Sequence, residues 1–180
     1  MINNRIVLRP ARGFTLVEIL IVVIILGILA AIVIPQFTNA SQDARKSSLT
    51  SQLQTIRSQV ELYKLQHLDQ FPPALVAGGA TAWDDMTSRT NADHTAATDA
   101  DGFGPYLQAP PRNSLSGNTA VFVVTNGATD YGSGAGGQVS PGAATDGWVF
   151  NSVTGKIWAT TTQGGFIYNE ANPADPNNDQ

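Results

Sequence analysis

The chain has 180 residues, a mass of 19.0 kDa and a formal net charge of −4. That length suits one small domain with an appendage, and the absence of cysteine excludes disulfides, zinc–thiolate sites, iron–sulfur clusters and cysteine nucleophiles. From Phe14 onward 7 basic residues face 14 acidic ones, so the body of the chain repels phosphate backbones and no nucleic-acid partner is expected.

Arg5, Arg9 and Arg12 come first, with no acid among them; residues 14 to 34 then hold 18 apolar residues out of 21, the exceptions being Thr15, Glu18 and Gly27. At about 1.5 Å per residue this run reaches roughly 30 Å, the depth of one bilayer core. Arginines ahead of such a run keep the N-terminus cytoplasmic and send the rest outward. The chain is expected to cross a membrane once, with the remainder exported. Glu18 is out of place there, because a carboxylate near the centre of a span costs roughly 2.5–3.5 kcal/mol and less near an end. No Lys, Arg or His lies between Phe14 and Ser41, so the run offers Glu18 no partner within its own helix. A cut between Gly13 and Phe14 would create an α-amino group four residues before it, able to neutralise it in a low dielectric. The plainer alternative is a carboxyl that is protonated or reaches the headgroups.

Arg12-Gly13-Phe14-Thr15-Leu16-Val17-Glu18, followed by the apolar run and Pro35, resembles the class III signal of type IV pilins and of the pseudopilins of type II secretion. The resemblance implies cleavage after Gly13 by prepilin peptidase, N-methylation of Phe14, retention of the apolar helix, and assembly roles for Phe14 and Glu18. A competing cut after Ala40 would follow an ordinary small-residue pattern and release a soluble protein.

Residues 36 to 70 continue as an amphipathic helix. Leu49, Leu53, Ile56, Val60 and Tyr63, with Leu68 near the next step, fall on one stripe, and Asp43 with Lys46 and Arg57 with Glu61 are spaced for mild helix support. Phe71-Pro72-Pro73 stops the helix, with Gly27 and Pro35 as expected bends or melts. Glu61-Leu62-Tyr63-Lys64-Leu65 running down to Phe71-Pro72 is similar to the helix end of major pseudopilins, with Phe71 in place of a Tyr.

Residues 71 to 180 contain 15 of the 17 Gly and 8 of the 10 Pro, which reads as loop-rich β structure. Residues 76 to 102 are long loops with room for one short helix. Ala120 to Thr125 reads as a buried strand, 127 to 145 as a Gly/Ser/Ala loop, and Gly147 to Thr160 as a β-hairpin turning at Thr154-Gly155. Phe166-Ile167-Tyr168 adds a last strand or covers the sheet edge. The expected fold is α+β: a long N-terminal helix packed on a small antiparallel sheet. The expected divisions are a leader at 1–13, a membrane or filament-core helix at 14–35, an amphipathic half at 36–70, a β-rich head at 71–168 and a mobile tail at 169–180. Gly102 to Leu107 and the hairpin also resemble major-pseudopilin heads. Type IVa pilin heads usually carry a disulfide-closed loop, which a chain without cysteine lacks.

Catalytic and ligand motifs are sparse. His94 beside Asp93 suggests a triad, but no Ser sits in a Gly-x-Ser-x-Gly elbow, so no enzyme is expected. Gly132 to Gly137 satisfies GxGxxG without a following helix and reads as a loop, and the sequon at Asn39-Ala40-Ser41 reads as chance. Asp99 and Asp101 match two ligand positions of a calcium loop, but Ala97 and Gln108 stand where other ligands belong, which excludes a full EF-hand. Major pseudopilins bind calcium in the head, so Asp99 and Asp101 are candidate Ca2+ ligands, joined by backbone carbonyls and by Asp130 or Asp146 if the fold brings them close. Solvated loop acids are the alternative.

The function that follows from the resemblance is a structural subunit of a type II secretion pseudopilus. Its partners would be other copies of itself, prepilin peptidase, an inner-membrane platform protein and an assembly ATPase. The alternative is a type IV pilus subunit for adhesion, motility or DNA uptake.

Overall fold

The computed structural model describes residues 13–97, 102–125, 145–161, 167–172 and 175. The chain divides into two compact units, Met1–Gln42 and Asp43–Gln180, with the division falling inside the first helix, α1 (Leu16–Gln66). In the first unit α1 is apolar on every side. Its large side chains from Leu16 to Ile34, and Phe37 beyond them, are all exposed. It is long and apolar enough to cross a membrane, with no part of its apolar window buried. Such a helix, apolar all round, belongs in lipid or among like helices. The helix is unbroken through Gly27 and Pro35, so neither residue melts it.

In the second unit α1 has one buried face. Leu49, Leu53, Ile56, Val60 and Tyr63 are each 2% exposed or less. The stripe ends differently from the expectation: His67 takes the last buried place, while Leu68 is 77% exposed. The helix itself closes at Gln66 rather than running to Gln70. Leu68 and Asp69 both take left-handed backbone angles, φ 54° and 62°, and the Asp69 N–H reaches back to the Lys64 carbonyl at 2.9 Å. That closing contact leaves His67 facing the head. The expected Arg57–Glu61 pair is not made. Arg57 pairs with Glu170, and Glu61 lies 3.7 Å from Lys64.

Two short helices follow, α2 (Pro73–Ala77) and α3 (Asp84–Thr87). Pro73 opens α2, where a missing N–H is harmless. They bring Leu75, Trp83 and Met86, all fully buried, into the core with Tyr63 and Trp148. The sheet has three strands in the order β1 (Ala120–Val124), β2 (Asp146–Asn151) and β3 (Ile157–Ala159).

The α+β class is as expected, but the sheet is mixed, not antiparallel: β1 pairs parallel with β2, and only β2 and β3 pair antiparallel. Strand direction between β1 and β2 depends on their connection. Some twenty residues suffice for the crossover that parallel neighbours need, and composition alone does not distinguish that from a return loop. The β2–β3 hairpin forms as read from the sequence. Asn151 Oδ1 accepts from the Val153 and Thr154 N–H groups, at 2.9 and 3.0 Å. Gly155 then turns with φ 72°, and a Cβ there would strike the Phe71 ring.

Buried polar groups fix the open end of the hairpin. The fully buried Asn113 donates through Nδ2 to the Gly147 and Thr160 carbonyls, at 2.7 and 2.8 Å, and accepts through Oδ1 from the Leu115 and Ser116 N–H groups. Trp83 and Trp148 meet edge to face with centroids 6.2 Å apart. Each indole N–H has a carbonyl acceptor, Thr119 for Trp83 and Pro111 for Trp148, as buried indoles require.

Candidate assembly and processing site

The start of α1 is set by a local sequence pattern. Thr15-Leu16-Val17-Glu18 has the form of a capping box, in which the first and fourth residues satisfy each other's backbone N–H groups. The Glu18 N–H donates to Thr15 Oγ1 at 3.2 Å, and Glu18 Oε2 accepts both the Thr15 N–H and the Thr15 hydroxyl at 2.9 Å. Two otherwise orphaned donors are satisfied, and a carboxylate sits where the helix dipole favours it. Glu18 therefore does have a partner in its own segment, and the expectation of none is corrected. The partner is not a cation but the hydroxyl and amide of the residue three places back.

Gly13 and Phe14 lie before the first helical residue. Nothing lies within 4 Å of where a Cβ on Gly13 would stand, and Phe14 is 82% exposed. The structure thus gathers Phe14, Thr15 and Glu18 at one helix start. Thr15 joins the site through its T-x-x-E spacing to Glu18, a local signal in the sequence. Asp99, Asp101 and Asp130 lie outside the described residues. Asp146 is a buried residue at the start of β2. Among the described residues no three His, Cys, Asp or Glu side chains gather as a metal site.

The two histidines, read separately from the sequence, meet in the head. His67 stacks on Tyr63 with ring centroids 3.8 Å apart and lies 5.2 Å from His94. His67 Nδ1 sits 2.9 Å from the Tyr63 carbonyl, which can only accept, so Nδ1 carries the proton. Its Nε2 pairs with the Thr90 hydroxyl at 2.9 Å. His94 Nδ1 pairs with the Tyr63 hydroxyl at 2.8 Å, and its Nε2 with Gln70 Oε1 at 3.1 Å.

Burial, reinforced by Asp85, pushes the Tyr63 phenol well above its ordinary value, and burial pushes Tyr106 up to about 12. The Thr95 hydroxyl and N–H hold the Asp93 carboxyl below the usual range. These bonds tie the loop carrying Thr90 and His94 to the end of α1. His94 is bonded to a phenol and an amide, not to a serine, so the triad suggested by Asp93-His94 is not assembled.

The likenesses to known proteins fall on the N-terminal part of the chain. Residues 8–34 match the family described as "Prokaryotic N-terminal methylation motif". The type II secretion system core protein G of Dickeya chrysanthemi is 41% identical over 59 residues, covering 33% of this chain and 39% of that protein. Its namesake in Pseudomonas aeruginosa is 41% identical over 59 residues, covering 33% and 42%. The one in Klebsiella pneumoniae is 38% identical over 60 residues, covering 33% and 43%. The chain thus spans about two fifths of the length of these relatives. No solved structure matches. The resemblance to pilin-type and pseudopilin sequences is therefore shown over the N-terminal third, and the apolar helix with such relatives fits a membrane-anchored subunit.

Proposed function

We propose that the chain is a structural, non-catalytic subunit of a type II secretion pseudopilus. Prepilin peptidase removes residues 1–13 by cutting after Gly13, and Phe14 becomes the N-methylated terminus. Residues 14–35 anchor the subunit in the inner membrane, N-terminus cytoplasmic and head periplasmic, until the filament takes it up. Copies then polymerise through this apolar segment, with residues 36–70 and the head at 71–168 forming the rest of the subunit. A platform protein and an assembly ATPase are the partners that extract it.

The carrying observation is that the methylation-motif match over residues 8–34 ends in a helix whose start is built from Thr15 and Glu18. Both hydrogen bonds that the Glu18 carboxylate accepts use Oε2, and we assign Oε1 to the Phe14 amine of an incoming copy. That ion pair would neutralise the charge that the capping bonds leave on a carboxylate taken out of water. The capping box lies wholly after the scissile bond, so cutting leaves it intact.

The test is intact mass and N-terminal sequencing of the protein from native membranes. A start at N-methyl-Phe14 is expected. A start at Met1 or Ser41 would overturn the proposal.

A further inference from the structure

The outer edge of β3 is closed by groups from distant parts of the chain. Asn151 donates to the Lys156 carbonyl and Thr160 to the Gly147 carbonyl, at 2.9 and 3.0 Å. The alternate residues Ile157 and Ala159 therefore turn their carbonyls away from β2. Both carbonyls are taken. Arg57 Nη2 donates to Ile157 O at 2.7 Å, and the Tyr168 N–H donates to Ala159 O at 2.9 Å. Thr160 and Ile167 add an antiparallel bridge. The Arg57 guanidinium is itself held in a fork by Glu170, at 2.8 and 2.6 Å, the geometry of a strong, directional pair. Tyr168 and Ile167 are 2% and 6% exposed, and the Tyr168 hydroxyl lies 3.4 Å from Thr50 Oγ1.

An outward row of carbonyls on a short edge strand is a template for another strand. Here one carbonyl is capped by a guanidinium and the next by a short strap of the same chain. The fork needs both partners: Glu170 aims the guanidinium at Ile157, and Arg57 anchors the strap two residues beyond Tyr168. We propose that the Arg57–Glu170 clamp is an edge guard, holding Ile167–Glu170 against β3 so that the β3 edge of a second copy cannot pair there. The excluded partner is this chain's own β3, because β3 strands from two copies could add to each other antiparallel about Trp158, continuing both sheets. The guard does not depend on the filament reading; it acts on any two heads brought together.

The experiment uses the full chain in detergent micelles. Hydrogen exchange at the Tyr168 N–H reports the strap, and exchange at the Asn151 N–H, bonded inside the hairpin, reports the fold. Sedimentation reports self-association. Glu170→Gln removes one charge of the fork, and we expect exchange at Tyr168 to quicken about tenfold or more, the scale of a lost charge-assisted bond. Exchange at Asn151 should stay unchanged, and association should become tighter than in the wild type. Quicker exchange with unchanged association overturns the guard, and unchanged exchange overturns the clamp. If Asn151 also exchanges faster, Arg57→Lys, which keeps the helix and the charge but loses the fork, is read by the same criteria.

Discussion

The two stretches of α1 share one backbone conformation and differ in almost everything else. From Leu16 to Ile34 no side chain is buried, and the apolar surface runs around the whole cylinder. From Leu49 to Tyr63 the apolar residues, Leu62 excepted, keep to one stripe, every member of which is buried. A stripe can be covered by a domain folded from the same chain, but a fully apolar cylinder can be covered only by lipid or by other apolar helices. The first stretch is thus stable only in company, and the second carries its own company in the head.

Substitutions of one kind should therefore act differently in the two stretches. Leu53→Ala, at a fully buried site, should destabilise the head by about 2–5 kcal/mol. Ile24→Ala should leave head unfolding unchanged; near-UV circular dichroism on heating checks both. If Ile24→Ala also lowered the melting point, the comparison would fail.

A charge inverts the pattern. Ile25→Lys should hinder membrane insertion by about 2.5–3.5 kcal/mol, seen as loss of the protein from carbonate-washed membranes, with head stability unaffected.

Smaller effects sharpen the helix start. Thr15→Ala should weaken the first turn by about 1 kcal/mol, read from amide exchange at the Glu18 N–H. Glu18→Ala should leave processing intact but impair polymerisation. Glu18→Gln separates the two roles of this residue, because glutamine also serves in a capping box but cannot pair with an amine as a charge. Filaments from Glu18→Gln with none from Glu18→Ala would assign Glu18 to capping alone; failure of both supports amine pairing.

The smallest expected effect is alkaline. The folded head keeps Tyr106 protonated up to about 12, against an ordinary 10.0, and raises Tyr63 likewise. Unfolded chains lose these protons first. The stabilisation is therefore fully present below about pH 10 and is lost as pH rises through the folded values. A pH series of melting temperatures should slope downward there, and Tyr63→Phe should flatten it.

What the sequence could show was whatever is encoded within a few residues. The methylation motif, the stripe from Leu49 to Tyr63 and the hairpin around Asn151 and Gly155 depend on short spacing, and they lie where the sequence places them. The parallel pairing of β1 with β2, the meeting of His67 with His94 and the reach of Arg57 to Glu170 depend on chain closure over tens of residues. No local periodicity records that closure. Arg57 shows the difficulty well, because Glu61 offers a correctly spaced local partner and the distant carboxylate takes the guanidinium in a fork. Thr15 is the opposite case: by residue type it only interrupts an apolar run, yet its spacing to Glu18 makes its capping role local and legible.

Asn113 gives the head a chemical clock as well as a staple. Its two N–H donors face the Gly147 and Thr160 carbonyls, so hydrolysis of this one amide to a carboxylate would set oxygen against oxygen at the mouth of the hairpin. Nothing in the apolar core would change, but the head would age from that point outward.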